Sequence, residues 1–351
     1  MDRHPLTRRT LVTLLLAAAG PAVAQAAPSP AGQTRTVTDQ LGRVVNVPAE
    51  VHRVVALQHQ SLDIIVELDA TDRLVGVLRK WDSLIPGLGR LVPKLASLPT
   101  PGDLTSVNIE ALLQLRPDVV FATNYAPPAM LAKIEAAGIP VVAISLSTAE
   151  GGNRGKLNPS FADDDAAYAE GLKQGVRLIG TVLGRESQAE ALLAAAFAGR
   201  KLVESRVAGI PDAQRVRLYM ANPDLTTYGH GKYTGVIMAR SGGINVARAI
   251  KGFSKVSIED VLGWNPQVIF VQDRYAPLAA QIRADPVWQA IDAVKTNRIY
   301  ITPEYVKPWG YPLPEALALG ELWMAKKLYP ERFADIDMQA AADRFYQAFY
   351  R

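Results

Sequence analysis

One stretch of the chain occurs twice, and it constrains the fold more than any other feature. Residues 106–124 (SVNIEALLQLRPDVVFATN) and 255–273 (KVSIEDVLGWNPQVIFVQD) align without a gap. Each copy predicts a short helix that begins at Asn108 or Ser257, stops before a proline, and leads into an apolar strand with a polar end. One such unit in each half of the chain indicates an α/β protein with two lobes.

The length and composition agree with a two-lobed globular protein and exclude several functions. A chain of 351 residues exceeds the usual size of one domain. The net charge of +4 is small, and no basic stripe with interleaved aromatic residues is present, which argues against nucleic-acid binding. The absence of cysteine excludes disulfides, thiolate metal sites, a cysteine nucleophile and a lipid-modified N-terminal cysteine.

The N-terminus has the pattern of an export signal. Arginines precede a short apolar run at 11–19, and Ala24-Gln25-Ala26 is a typical cleavage site. The run is too short to span a bilayer. The pair Arg8-Arg9 is also typical of a twin-arginine signal, and the choice between twin-arginine and general secretory export stays open. We therefore predict a signal peptide at 1–26 and a soluble periplasmic protein after cleavage.

The rest of the chain alternates strands and helices in the rhythm of parallel sheets with right-handed crossovers. A hairpin is predicted at 36–47, a helix capped by Ser61 follows the first buried strand, and residues 82–102 are predicted as an irregular loop. The predicted fold is therefore α/β, with two Rossmann-like lobes rich in parallel strands and joined by one long helix. Its segments are an N-terminal lobe at 34–184, an interdomain helix at 185–210 and a C-terminal lobe at 211–351.

Several segments in this order resemble the substrate-binding proteins of ABC importers for siderophores, haem, cobalamin and metal ions. They are TVTDQLGRVVNVPAEVHRVVAL, IEALLQLRPDVVF, GGINVA, VSIEDVLGWNPQVIFV and WGYPLPEALALGELWMAKKLYPERF. The resemblance covers about 36–335. It implies a non-enzymatic, monomeric receptor without a cofactor of its own, which delivers cargo to a permease dimer with its ATPase subunits.

In that family an acidic residue on each lobe docks with arginines of the permease, and the matching residues here are Glu110 and Glu259. The alternative is that each glutamate only stabilises its helix through the dipole, by about 0.3–1 kcal/mol. The repeated position of the pair favours docking.

Ligand-binding candidates are the polar and aromatic residues that follow the predicted strands, because ligands of parallel sheets gather at the carboxyl ends of the strands. The candidates of the first lobe are His59, Arg79, Trp81, Asn124 and Tyr125, and those of the second are Tyr228, His230, Lys232, Arg274, Tyr305, Lys307 and Trp309. The cations could hold an anion, and the aromatic rings could stack on a flat chelate. His59 and His230 are predicted in loops, where they either share a metal or anion across the cleft or are simply solvated.

The sequence does not select the cargo. We favour an iron chelate of the siderophore type, with a molybdate- or tungstate-type oxyanion, haem, cobalamin, and nickel or cobalt as alternatives. The C-terminal WGYPLPEA pattern most resembles members that handle iron or oxyanions. An exported metallochaperone or hydrolase is a distant alternative, since the phosphate-loop, G-x-S-x-G and H-E-x-x-H motifs are absent.

Overall fold

The computed structural model describes residues 33–351, and the predicted signal peptide with its arginine pair lies outside this range. The first half contains six strands: β1 (Thr34–Thr38), β2 (Val44–Pro48), β3 (Val54–Ala56), β4 (Leu74–Val77), β5 (Val119–Thr123) and β6 (Val141–Ile144). β1 and β2 form the predicted antiparallel hairpin. The other four form a parallel sheet in the order β4-β3-β5-β6. Every residue of β5 and β6 is buried, as expected for a sheet covered on both faces.

Five helices accompany this sheet: α1 (His59–Glu67), α2 (Trp81–Leu84), α3 (Leu88–Leu91), α4 (Ile109–Gln114) and α5 (Pro128–Ala136). The predicted start of α1 at Ser61 is wrong. Gln58 is the N-cap, and the Ser61 hydroxyl donates to the Gln58 Oε1 atom at 2.6 Å. His59 therefore lies in the first turn of a helix rather than in a loop. The predicted irregular loop at 82–102 is also wrong in part, because it contains most of α2, all of α3 and a 3₁₀ turn at Pro93–Ser97.

Two long helices follow, α6 (Asp164–Leu183) and α7 (Glu186–Val207). Gly184 separates them in a left-handed conformation (φ +59°) that suits glycine at a helix end. α7 begins beside the first half, where Glu186 lies 3.6 Å from Arg35, and ends in the second half, where Arg206 pairs with Asp335. α7 thus provides the predicted long connection, and α6 packs against it.

The second half contains six more strands: β7 (Arg217–Ala221), β8 (Thr226–Tyr228), β9 (Ile244–Asn245), β10 (Phe253–Lys255), β11 (Val268–Val271) and β12 (Ile299–Ile301). Four of them form a second parallel sheet in the order β12-β11-β7-β9, while β8 and β10 pair antiparallel. The helices are α8 (Tyr233–Arg240), α9 (Ile258–Trp264), α10 (Pro277–Ala284), α11 (Asp292–Lys295), α12 (Glu321–Leu328), which follows a π-helical turn at Ala316–Gly320, and α13 (Met338–Phe349). Two lobes, each with a parallel sheet, joined by a long helix confirm the predicted fold class.

The repeated stretch forms the same unit in each lobe. The Asn108 side chain accepts a hydrogen bond from the Ala111 amide at the start of α4, and Ser257 forms a capping box with Asp260 at the start of α9. The strands that follow, β5 and β11, are inner strands of their sheets. Both helix starts are therefore confirmed. Across residues 33–351, no helix is both long and apolar enough to cross a membrane.

Candidate functional site

A small cavity of about 160 Å³ lies between residues of the two halves. The first half contributes His59 and Gln60 from the start of α1, Tyr125 after β5, and Leu157 from the loop before α6. The second half contributes the following residues: Tyr228, Lys232, Phe253, Arg274 and residues 309–311. Tyr125 and Arg274 follow parallel strands, and His59, Gln60 and Lys232 lie at helix starts, so the cavity lies where parallel sheets usually place their ligands.

Two cations line the cavity, and the lining residues in the described part of the chain include no carboxylate. Lys232 is the N-cap residue of α8, and its Nζ lies 4.9 Å from the centre of the Tyr311 ring. Burial lowers the pKa of Lys232 to about 8, so the ammonium remains mostly protonated at neutral pH. The Arg274 guanidinium lies 5.3 Å from the Trp309 ring centre, and its Nε donates to Gln272 Oε1 at 2.7 Å. The positive charge of the cavity therefore favours an anionic ligand.

Two ring nitrogens at the cavity have unused hydrogen-bonding capacity. His59 Nδ1 and Trp309 Nε1 are buried and find no hydrogen-bond partner within residues 33–351. Burial, assisted by the positive charges of Arg274 and Lys307, lowers the pKa of His59 to about 3. His59 is therefore neutral at pH 7. Because an indole nitrogen can only donate and a buried polar atom normally has a partner, these atoms favour a ligand that carries hydrogen-bond acceptors.

The loop before α6 is tied across the cavity to the second lobe. The Leu157 carbonyl oxygen accepts hydrogen bonds from Lys232 Nζ and from the Tyr311 hydroxyl at 3.3 Å. Asn124 at the end of β5 holds the same loop from the other side, since its Nδ2 donates to the Arg154 carbonyl oxygen at 2.6 Å. The cavity is thus bounded by a loop anchored in both lobes.

The structure brings together six of the twelve predicted ligand-binding residues: His59, Tyr125, Tyr228, Lys232, Arg274 and Trp309. The other six do not line the cavity. Among them, Asn124 holds the loop before α6, and Lys307 is paired with Asp63 and Glu315. Arg79 is exposed and pairs with Asp103 at 2.6 Å, while Trp81 packs into the core of the first lobe. Tyr305 lies within a 3₁₀ turn and packs against the core.

His230 lines a different cavity, of about 700 Å³, beside the start of α6. The two histidines are therefore not brought to one site. No group of three or more His, Asp or Glu residues suitable for a metal ion occurs within residues 33–351.

Sequence reasoning missed five residues of the cavity: Gln60, Leu157, Phe253, Gly310 and Tyr311. Gln60 adjoins His59, and Gly310 and Tyr311 follow Trp309 in the same proline-rich loop, so proximity in sequence could have indicated them. Leu157 and Phe253 are 48% and 40% exposed apolar residues, and nothing in their sequence context marks them as part of a site.

A family model described as periplasmic binding protein matches residues 54–306. The chain belongs to the periplasmic binding protein family. The resemblance inferred from the sequence is thereby confirmed, and the protein is periplasmic. A relative from Haemophilus influenzae, named molybdate-binding protein MolA, is 54% identical over 319 residues, which are 90% of this chain and 91% of that protein.

Solved structures of other periplasmic binding proteins share this architecture. The structure of the H. influenzae protein with molybdate bound, described as the binding protein of an ABC transporter, has a TM-score of 0.88 and covers 90% of this chain and 98% of its own. A periplasmic solute binding protein from Veillonella parvula is 24% identical, with a TM-score of 0.73 over 91% of this chain and 93% of its own. These relatives are solute-binding proteins of the same fold.

Proposed function

We propose that this periplasmic binding protein captures molybdate, or tungstate of the same shape and charge, and delivers it to an ABC importer. The observation that carries the proposal is the cavity between the lobes, with the cations Lys232 and Arg274 and the unpartnered ring nitrogens of His59 and Trp309. Two positive charges match a dianion, and the ring nitrogens offer hydrogen bonds to its oxygens. The similarity to a molybdate-binding protein supports the same ligand.

The size of the cavity argues against the larger alternatives. Its volume of about 160 Å³ is well below the ~300–1,000 Å³ of pockets that enclose drug-sized ligands. A siderophore complex, haem or cobalamin is at least as large as such ligands. The iron chelate that we favoured from sequence is therefore less well supported than the oxyanion alternative. A bare nickel or cobalt ion is disfavoured by the two cations of the cavity. The proposed receptor makes and breaks no bond.

Calorimetric and thermal-shift titrations test the ligand. Molybdate and tungstate are added to the purified protein, with sulfate, phosphate and a ferric siderophore as competitors. Molybdate at 100 times its dissociation constant should add about 2.7 kcal/mol to the free energy of unfolding. A stabilisation by the ferric siderophore, with none by molybdate, would refute the proposal.

Two arginine variants locate the site. Arg274→Met removes a cation of the cavity and should abolish most of the molybdate affinity. Arg79→Met is the matched control, because Arg79 also follows a strand but pairs with Asp103 outside the cavity. Equal losses in both variants would show that the anion binds elsewhere.

We further propose that Glu110 and Glu259 dock with the permease of the importer. Each glutamate is exposed in the first turn of its helix, α4 or α9. The capping hydrogen bonds of these helices come from other residues, Asn108 in α4 and the Ser257–Asp260 pair in α9. The two carboxylates are thus available to a partner at equivalent positions of the two lobes.

The double variant Glu110→Ala/Glu259→Ala should abolish molybdate uptake by cells while the affinity of the purified protein for molybdate stays unchanged. Loss of the helix-dipole interactions alone would reduce stability by about 0.3–1 kcal/mol per helix, too little to prevent folding. Asp260→Ala serves as a control, since it removes an adjacent acidic residue that caps α9. Normal uptake by the double variant would contradict the docking role.

A further inference from the structure

A cluster of charged side chains is buried beside the cavity, and binding of the anion as proposed above uses none of them. The Lys307 ammonium contacts the carboxylates of Asp63, from α1 in the first lobe, and Glu315, from the second. It also donates to the Tyr350 hydroxyl, after the last helix, at 3.1 Å. The Tyr350 hydroxyl donates in turn to Asp63 Oδ1 at 2.9 Å. The cluster therefore connects both lobes and the C-terminus.

This cluster is linked to the cavity through short covalent paths. Asp63 lies one helical turn after His59 in α1, so the two side chains share a face of that helix. Lys307 precedes Trp309 by two residues, and the Trp309 amide donates to the Lys307 carbonyl oxygen at 2.7 Å. The ion pair between Lys307 and Asp63 consequently joins the segments that carry the two unpartnered ring nitrogens.

The backbone at Lys307 is left-handed, with φ +39° and ψ +55°. This conformation is unfavourable for a residue with a side chain, and it turns the chain from the 3₁₀ turn Glu304–Val306 into residues 309–311 of the cavity wall. A side chain held by two carboxylates and a hydroxyl fixes the turn in place.

The cluster also places charges beside the cavity. Its three carboxyl groups, Asp63, Glu67 and Glu315, act on one ammonium, that of Lys307. Burial raises the pKa of Glu67, and the neighbouring Asp63 carboxylate raises it further. Burial works against the Lys307 ammonium, but Asp63 and Glu315 outweigh it and raise its pKa. The other titratable groups that interact electrostatically with the cluster are His59, Asp273, Glu304, Tyr305, Tyr346 and Tyr350. Arg274 acts in turn on His59 and Asp273.

We propose that Lys307 is a positioning residue of the oxyanion site: it sets the separation of His59 and Trp309 across the lobes and neutralises the carboxylates beneath the anion. This inference rests on the proposed function. Without Lys307, three buried carboxyl groups would lie beside the cavity with no cation among them. The anion would then be repelled, and the repulsion would weaken as the carboxylates take up protons.

The test compares Lys307→Met with the wild type and with Lys326→Met, a matched control whose ammonium donates to the carbonyl oxygens of Phe333 and Ile336. Molybdate dissociation constants are measured by calorimetry at pH 6, 7 and 8. Lys307→Met should bind about ten- to a hundredfold more weakly, as expected for loss of one charge near a dianion. Its affinity should improve toward pH 6 more steeply than that of the wild type, which a purely structural defect would not produce.

A rescue variant separates charge from packing. Asp63→Asn/Lys307→Met removes one negative charge together with the ammonium, and it should recover part of the affinity lost in Lys307→Met. If Lys307→Met does not fold, Tyr350→Phe tests the positioning role instead. This variant deletes one hydroxyl from the cluster and should weaken molybdate binding severalfold. An unchanged affinity in Tyr350→Phe overturns the inference.

The possible failures are distinguishable. A wild-type protein that binds no molybdate refutes the proposed function, and the positioning role falls with it. A wild-type protein that binds molybdate while Lys307→Met keeps the same affinity and pH profile refutes the positioning role alone.

Discussion

Replacing Lys232 by methionine is expected to change stability and anion binding in opposite directions. Burial lowers the pKa of the Lys232 ammonium from 10.5 to about 8, which corresponds to about 3 kcal/mol at 1.36 kcal/mol per unit. At neutral pH the buried charge of Lys232 therefore lowers the stability of the ligand-free protein by this amount. The variant also loses the hydrogen bond to the Leu157 carbonyl oxygen, worth about 1.5–3 kcal/mol. The net result should be a small gain in stability, on the order of 1 kcal/mol.

The pH dependence of stability has a definite sign. Because the pKa of Lys232 is lower in the folded state than in the unfolded chain, the unfolded state binds more protons between pH 8 and 10.5. The contribution of Lys232 to the free energy of unfolding therefore rises with pH in this window. Lys232→Met should lack this rise.

Binding should respond in the opposite sense. If the anion needs the protonated ammonium, the apparent dissociation constant of the wild type should increase about twofold at pH 8 and about tenfold at pH 9 relative to neutral pH. Deletion of one partner of a buried charge pair costs at least about 2 kcal/mol, or about thirtyfold in affinity. Lys232→Met should thus bind molybdate weakly, and its affinity should vary less between pH 7 and 9.

Calorimetry with molybdate at pH 7, 8 and 9 measures the binding terms, and urea unfolding of the ligand-free proteins measures stability. Lys326→Met is the control for replacement of a partly buried lysine outside the cavity. Wild-type affinity in Lys232→Met would refute the assignment of Lys232 to the anion site. A large loss of stability in the ligand-free variant would refute the argument that its charge is buried at a net cost.

Two further predictions concern the framework. Burial raises the pKa of Glu321 to about 7 although Arg200 opposes the shift, so the folded state binds the proton of Glu321 more tightly, and stability should fall as pH rises from about 4.5 to 7. Arg200→Met should remain folded at pH 5 but lose about 3–5 kcal/mol of stability at pH 8. Urea unfolding that shows the same loss of stability at both pH values would contradict this. In α7, Gly199→Ala would place a Cβ 2.4 Å from the Ala318 carbonyl oxygen and should reduce stability by about 1–3 kcal/mol. In α9, the Cβ of Gly263→Ala would meet nothing within 4 Å, and this variant should gain up to about 1 kcal/mol of stability. Thermal unfolding that ranks the two variants the other way would refute the packing argument.

The repeated stretch shows which structural features the local sequence predicts correctly. Asn108 and Ser257 cap their helices as the sequence predicts, because capping depends on residues within one turn of each other. The apolar runs that follow form inner strands, because a strand covered on both faces must be apolar throughout. The same reasoning gave a wrong helix start at Ser61. The Ser61 hydroxyl donates a hydrogen bond to the Gln58 side chain, and the helix begins two residues earlier, at His59.

The sequence by itself determined the two lobes with parallel sheets, the long helix that connects them and the protein family, because these depend on local patterns and their order. Tertiary structure decided the site. Arg79 and Arg274 both follow strands, yet Arg79 turns to Asp103 and Arg274 lies beside Trp309. Lys232 and Lys307 look alike in sequence, but one lies at the cavity facing no carboxylate among its lining residues, and the other is enclosed by Asp63 and Glu315. The physical reason is that side-chain direction, burial and charge balance are set by residues far apart in the chain, which meet only when the lobes pack.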